Sequence, residues 1–455
     1  MTRAAALDRP RPFAVPRWLW TLALAVLLVM GGGVAWDRWQ GGANAGLDPA
    51  ALRPWFGPPT FAEAAAQADR EVDGRRESLV RAPGEWVLGE QLALALIARW
   101  RLIGDYDDLA EADRLLAAGM GGTSGPAGPV VTEATLAVLV HRLDRAEAAL
   151  ARFSRSVVPD ARDSADAAAL AGDIAFQRGD LAATTGKYAL AVRLAPSAAG
   201  DVRLALLPAL RGEPERSIAQ LERIIATPRQ APWTLASLML RRAQLALQRG
   251  DWSRAGRWVG AAQRAFPGWW LADSYAAQQF ALAGRTEDAI RAYGIVARRT
   301  DRPEVQDALA HLLRLQGQGA ESRAWAAKAA AGWEARARLF PEAVIHHQAE
   351  HELVVGSAAR ALAFARADAA QRPQAPNLVL LARALLSAGR ASEALAALDR
   401  ADAQGWVSAG QQMARAEGLA ALGRTADSEA ARARAEAINP RAADPRTRLI
   451  WFGHD

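Results

Sequence analysis

A glycine turn returns along the chain at nearly constant intervals, and this repeat constrains the fold more than any other feature. Successive turn glycines are 33, 38, 34, 33, 39, 33 and 34 residues apart. They are Gly179, Gly212, Gly250, Gly284, Gly317, Gly356, Gly389 and Gly423. Alanine-rich apolar segments flank each turn, and alanine favours helix because it loses no side-chain entropy there. The pattern predicts helical hairpins repeated along the chain, with almost no β-strand.

Small residues flank every turn at two fixed distances. Seven residues before the glycines lie Gly172, Ala205, Ala243, Ala277, Ala310, Ala349, Ala382 and Ala416. Five residues after them lie Thr184, Ser217, Ala255, Ala289, Ser322, Ala361, Ala394 and Ser428. Helices that cross closely need small side chains at the contact. Four second helices should end just before Pro196, Pro267, Pro373 and Pro440, because proline cannot continue a helix.

One unit, residues 168–196, shows the whole pattern with Gly172, the Gly179-Asp180 turn, Tyr188 and Pro196. In period and spacing, residues 165–440 resemble the tetratricopeptide repeat (TPR) family, whose repeat is about 34 residues long. The resemblance implies an all-α, right-handed superhelical solenoid of about eight to ten α-α hairpins. It also implies a concave groove, lined by the first helix of each hairpin, that binds extended peptides or partner helices.

The rest of the chain divides around this solenoid. Residues 86–164 are predicted to form degenerate repeats that turn at Gly104-Asp105 and Leu143-Asp144, with a Gly/Pro-rich loop over 119–129. Residues 37–85 are predicted to be a linker with short helices, and residues 441–455 a C-terminal tail. Residues 1–17 form a basic N-terminal tail.

Residues 18–36 contain no charge and have tryptophans at both ends. Nineteen residues of helix just span a hydrocarbon core of about 30 Å, and indoles favour its interfaces. Arginines precede this segment, so the positive-inside rule predicts a single-pass inner-membrane anchor with a cytoplasmic N-terminus and a periplasmic C-terminal domain. The alternative is a cleaved signal peptide, which would export the same domain.

Charge and cysteine content exclude several functions. Of the formal net charge of +6, half belongs to the first 17 residues. The other half is spread over the remaining chain, which is too little positive charge for a surface that binds nucleic-acid phosphates. We therefore expect no nucleic-acid partner. The chain has no cysteine, which excludes disulfides, thiolate metal sites and cysteine nucleophiles. Neither a P-loop nor a Gly-x-Ser-x-Gly elbow is present.

The strongest hint of chemistry is the histidine-rich segment His346 to His351. His347, Glu350 and His351 match the inverted zincin spacing, in which two histidines hold zinc and a glutamate acts as base. The segment also lies inside a regular repeat helix, where the same histidines would be structural or would line the groove. A zinc-dependent hydrolase is therefore kept as an alternative function.

Aromatic residues crowd two adjacent repeats, at Trp252, Trp258, Phe266, Trp269, Trp270 and Tyr275. Tryptophan is common at binding hot spots and on sugar-stacking surfaces, but it also fills cores. A carbohydrate-binding module over Trp252–Trp270 is the second alternative.

We therefore predict a non-catalytic protein–protein interaction scaffold, tethered to the bacterial inner membrane and serving assembly of a cell-envelope complex. We expect no cofactor and no metal, and a protein or peptide partner in the groove. The candidate partner-binding residues are His311, Arg314, His346, Glu350, Trp269 and Trp270.

Overall fold

The structure, a computed structural model, describes residues 47–123, 127–155 and 159–453. These residues form 21 α-helices and one short 3-10 helix, and they contain no β-strand. All the helices belong to one compact unit, Pro49–Asp455. Within the described ranges, no helix is both long enough and apolar enough to cross a membrane. The predicted membrane segment 18–36 lies outside them.

Helix α1 (Phe61–Arg81) is followed by twenty helices that pack in ten consecutive pairs, which we call hairpins 1 to 10. Hairpins 1 to 5 are α2 (Trp86–Ile103) with α3 (Tyr106–Gly121), α4 (Val130–Leu139) with α5 (Leu143–Phe153), α6 (Ala161–Gln177) with α7 (Leu181–Leu194), α8 (Ala198–Leu210) with α9 (Pro214–Ile225), and α10 (Pro232–Gln248) with α11 (Trp252–Ala265). Hairpins 6 to 10 are α12 (Trp270–Leu282) with α13 (Thr286–Thr300), α14 (Pro303–Leu315) with α15 (Gly319–Leu339), α16 (Pro341–Val355) with α17 (Ala358–Gln371), α18 (Ala375–Ser387) with α19 (Ala391–Ala403), and α20 (Ala409–Ala421) with α21 (Thr425–Ile438).

The predicted repeat register is confirmed. All sixteen small residues at the two fixed distances from the turn glycines are buried. In hairpins 7 and 10, the residue five positions after the turn glycine is a serine whose hydroxyl links the two helices. Ser322 donates to the Ala310 carbonyl at 2.8 Å, and Ser428 donates to the Ala416 carbonyl. The second helices α7, α11, α17 and α21 each end two residues before their predicted prolines. The chain thus folds as a TPR-like series of helical hairpins.

Seven of the eight turn glycines have the left-handed backbone that glycine adopts without strain. Gly356 is the exception: its φ is −115°, and the Glu352 carboxylate folds over the turn to accept the Ser357 N–H at 2.8 Å. The second degenerate repeat turns at His141-Arg142, two residues before the predicted Leu143-Asp144, because His141 itself takes the left-handed conformation, with φ 63°.

Successive turns of the superhelix touch each other. A Cβ added to the turn glycines of hairpins 1, 3, 4 and 5 would meet Arg302, Gln404, Val407 and Asn439, respectively. The turn glycines of hairpins 6, 7, 9 and 10 have no neighbour within 4 Å. Arg178 also donates to the Gln371 carbonyl, 193 residues further on. Hairpins 1 to 5 therefore form a first turn of the superhelix, and hairpins 6 to 10 stack upon it. We call this contact the seam.

One apolar cluster bridges the seam near its start. Leu92, Leu96 and Leu109 of hairpin 1 share a core with Phe340 and Val344 from the loop and helix that follow hairpin 7. Burial of such side chains stabilises the contact by roughly 25 cal/mol per Å² of apolar surface removed from water. The seam is thus part of the hydrophobic core of the unit.

Both ends of the described unit return to its middle. The region predicted to contain a linker and short helices contributes one helix of 21 residues, α1, which packs on hairpin 1. At the start of α1, the Phe61 N–H donates to the Pro267 carbonyl at 3.0 Å. After α21, the segment that includes the 3-10 helix Pro445–Leu449 packs against α12 and α14.

Candidate functional site

A cavity of about 500 Å³ lies inside the superhelix, where its two turns face each other. First helices from both turns line it: α8 and α10 on one side, α16 and the start of α18 on the other. A smaller cavity of about 310 Å³ adjoins it and shares His141, Phe176, Arg372 and Gln374. We call the larger space the central cavity.

The lining of the central cavity combines apolar surface with basic and amide side chains. Its titratable side chains include three arginines and three histidines, and no Asp or Glu lines it: the six are Arg203, Arg241, Arg372, His141, His346 and His347. Gln244, Gln248, Gln374 and Asn377 add amide groups, and Trp406 and Phe176 add aromatic surface. Such a lining favours a ligand that presents an anionic group beside apolar surface.

Two of the arginines are held by carboxylates behind the cavity wall. Arg203 binds Asp173 through two nitrogens, at 3.0 and 2.9 Å, and Tyr188 donates to the same carboxylate at 2.6 Å. Arg372 donates to Asp368 at 2.9 Å. These pairs fix the guanidinium groups at the wall, because a bidentate ion pair sets the orientation of arginine.

Arg241 differs from the other two arginines. It donates to Gln244 at 3.2 Å, and no carboxylate of the described residues forms an ion pair with it. Its side chain is exposed at the cavity, on the inner face of α10. Arg241 is therefore the cation best placed to meet an anionic ligand.

Asp368, on α17, is buried between His346 and Arg372, two residues that line the central cavity. It is fully inaccessible, and the His346 Nδ1 lies 3.0 Å from its Oδ2. Burial raises the pKa of Asp368, but the hydrogen bond from His346 and the charge of Arg372 outweigh it and hold the pKa below its usual value. The carboxylate is thus kept ionised and positions both a histidine and an arginine at the cavity.

His141 connects the two cavities. It stands where the other hairpins have their turn glycine, and its Nδ1 lies 2.8 Å from the Gln177 side-chain oxygen. Burial, together with nearby Arg372, lowers the pKa of His141 to about 3. Because of this low pKa, His141 is a neutral hydrogen-bonding group at neutral pH. Its left-handed backbone is also strained, and such strain is concentrated at functional sites.

The histidines of the zincin-like segment are directed to different carboxylates. The His347 ring stacks on Trp333 at 5.0 Å, and its Nδ1 lies 3.1 Å from Glu350. The His351 Nδ1 lies 2.6 Å from Asp307. In the described part of the chain, no three His, Asp or Glu side chains are grouped to hold a metal ion. The geometry gives no support to the zinc hydrolase.

The tryptophan cluster does not form a sugar-stacking platform. Trp252, Trp258 and Trp269 are buried, and Trp269 packs edge-on against Phe266 at 6.1 Å. Trp270 is half-buried beneath the Arg302 guanidinium, 3.9 Å from its ring. Trp252 lies beneath Arg441 and Arg446, so the tryptophans of the cluster are covered by other parts of the chain.

The predicted partner-binding residues fall in three places. His346 lines the central cavity, and Glu350 follows one turn later on α16. His311 is buried beneath the C-terminal segment, with Arg314 exposed nearby on the same helix. Trp269 and Trp270 lie at the start of α12.

The sequence pattern did not identify Arg203, Arg241 or Arg372 as members of one site. Arg203 and Arg241 share one repeat position, nine residues before Gly212 and Gly250, but Arg372 lies outside this register and far along the chain. His141 did carry a signal, since it replaces the turn glycine.

No family model and no curated protein matches this chain. Among solved structures, it is similar to yeast Tom70, at 13% identity over 81% of this chain and 88% of that one, with a TM-score of 0.38. It is also similar to the human IFIT1 dimer with PPP-AAAA (14% identity, 82% and 86% covered, TM-score 0.40) and to a Rap protein complexed with Competence and Sporulation Factor (11% identity, 84% and 99% covered, TM-score 0.40). The fold assigned here rests on the helices of this chain itself.

Proposed function

We propose that the protein is a non-catalytic interaction scaffold that holds a segment of a partner protein in the central cavity. One observation carries the proposal: the first helices of both superhelical turns present arginine, histidine and amide side chains to one space, with no carboxylate in its lining. This arrangement suits a partner segment that carries Asp or Glu side chains.

The scaffold proposal includes its location. The uncharged, tryptophan-bounded residues 18–36 would tether the protein to the bacterial inner membrane and place the hairpins in the periplasm, where the scaffold would serve assembly of an envelope complex. A reporter fused after residue 60 should then be active only outside the cytoplasm. Activity inside the cytoplasm would reverse the proposed topology.

Site-directed photo-crosslinking in native membranes tests the partner. A photoreactive residue at Gln244 on α10 faces the cavity, and one at exposed Arg257 on α11 of the same hairpin is the control. We expect a discrete protein adduct from position 244 alone. Arg241→Glu should weaken that adduct at least tenfold, because it replaces the unpaired cation with a like charge for an acidic segment. Equal adducts from both positions would contradict the proposal.

A further inference from the structure

The C-terminal segment, residues 441–453, contacts hairpins 5 to 7. Arg441 and Arg446 stack on Trp252, with their guanidinium carbons 4.5 and 4.9 Å from the ring. The 3-10 helix Pro445–Leu449 contributes no buried residue. The firmly buried side chain of the segment is Phe452, which is 7% exposed. The segment is therefore anchored mainly near its end.

A buried glutamine binds the main chain of this segment. The Gln278 side chain, inaccessible on α12, accepts from the Trp451 and Phe452 N–H groups at 2.7 and 2.8 Å. Its amide nitrogen donates to the Phe452 carbonyl at 3.0 Å. The Phe452 ring lies 5.8 Å from that of Tyr275 and 6.3 Å from that of Tyr293. Main-chain bonds combined with an aromatic pocket are the features by which a groove binds an extended peptide.

The fit of the segment is incomplete. The His311 Nε2 donates to the Arg448 carbonyl at 2.8 Å, but the buried His311 Nδ1 has no partner among the described residues. Burial lowers the pKa of His311 to about 4, so at neutral pH this Nδ1 is an unsatisfied acceptor. The buried Tyr293 hydroxyl also lacks a partner within the described chain. Unpaired buried polar groups cost free energy, so a segment that satisfied them would bind better.

We propose that this face of α12 and α14 is a peptide-binding site whose resident occupant is the chain's own C-terminal segment, and that an extended partner segment with two adjacent aromatic residues binds by displacing it. The site does not share residues with the central cavity and does not depend on the function proposed for it. A tethered occupant competes at a high effective concentration, so displacement needs either a ligand of better fit or a ligand in large excess.

The test uses the full chain and a fluorescent peptide of residues 441–453. We expect this peptide to bind the Trp451→Ala/Phe452→Ala double variant at least tenfold more tightly than the wild-type chain, because the variant loses its resident anchor. Adding Gln278→Leu to the double variant should abolish binding, whereas adding Arg298→Ala, an exposed change on α13, should not. Equal affinity for the wild type and the double variant, or no binding to either, would overturn the proposal.

Hydrogen exchange on the wild-type chain provides a test that needs no variant. The Trp451 and Phe452 amides should exchange faster than those in the middle of α12, and a saturating, isotopically heavy 441–453 peptide should accelerate them at least threefold. Tail amides that match α12 in protection and ignore the peptide would identify the segment as a fixed part of the core and overturn the proposal.

Discussion

The two turns of the superhelix use the same repeat signal in different surroundings. In hairpins 3 to 5 of the first turn, each left-handed glycine is covered by a residue of the second turn, whereas the glycines of hairpins 6, 7, 9 and 10 are open. Buried charge does not follow the same division: Asp108, Glu133 and Arg242 are buried in the first turn, and Asp307, Glu352 and Asp368 are buried in hairpins 7 and 8 of the second, whereas hairpins 9 and 10 bury no charged residue. The repeat thus determines the structure of each hairpin, and the contact between superhelical turns determines which side chains can replace its turn glycine.

The largest expected effect breaks the buried charge network. Asp368→Ala would leave the buried Arg372 and the half-buried His346 without their shared carboxylate, so we expect a loss of about 3–5 kcal/mol in the free energy of unfolding, measured by urea denaturation. The control Asp399→Ala removes an exposed partner of Arg415 and should cost less than about 1 kcal/mol.

A second variant separates charge from packing in the same place. Asp368→Leu with Arg372→Met replaces the pair by apolar side chains and should recover much of the loss, since buried ion pairs can often be replaced without net cost. If Asp368→Ala behaves like the exposed control, the buried network does not stabilise hairpin 8.

Next in size is a matched pair of turn substitutions. Gly284→Ala places a side chain on a left-handed residue in open space, at a cost of about 1 kcal/mol. Gly250→Ala has the same backbone cost and also meets Asn439, which should add about 1–3 kcal/mol through overpacking. Thermal unfolding of the two variants should therefore differ clearly. Equal losses would mean that the two superhelical turns do not touch at hairpin 5.

Overpacking the helix crossings tests the register in both turns. Ala255→Leu and Ala289→Leu each insert about three carbons at a fully buried contact, at a cost of about 1–3 kcal/mol. Hydrogen exchange should show the Ala289 damage fading beyond hairpins 5 and 7, whereas the Ala255 damage should also reach the end of α21 across the seam. The exposed controls Arg285→Ala and Glu287→Ala should stay within about 0.5 kcal/mol. Unchanged protection in both leucine variants would show that the register is wrong.

Local pattern predicted the hairpins because their contacts are local. The small residues at two fixed distances, such as Ala255 and Ala289, specify close crossings between helices that follow each other directly. The seam was not predicted, because it depends on small rotations added over several repeats, which no single spacing records. The arginines of the central cavity look like ordinary surface charges in the sequence, and only the stacking of turns brings Arg372 to the same space as Arg203 and Arg241.

Two features of the sequence coincide with special places in the structure. His141 replaces a turn glycine and lines the central cavity. The neighbouring residues Trp451 and Phe452 give the predicted tail aromatic groups that pack against the hairpins. Gly356, by contrast, follows the repeat in sequence but not in conformation. The Glu352 carboxylate accepts the Ser357 N–H there and forms a different turn.

The smallest predicted effect concerns pH and distinguishes His141 from an ordinary turn residue. The pKa of His141 is about 3 in the folded chain, compared with about 6.5 for a free histidine, so the unfolded chain binds more protons between these values. The titration of His141 therefore lowers the free energy of unfolding as the pH falls below about 6.5. His141→Asn keeps a residue that tolerates the left-handed backbone but cannot titrate. Between pH 7 and pH 6, the variant should lose about 0.7 kcal/mol less than the wild type in urea titrations. His311→Asn should also reduce the loss of stability on acidification, because burial lowers the pKa of His311 to about 4. If the His141→Asn and wild-type chains lose stability equally over this range, His141 is not held neutral by its burial at the seam.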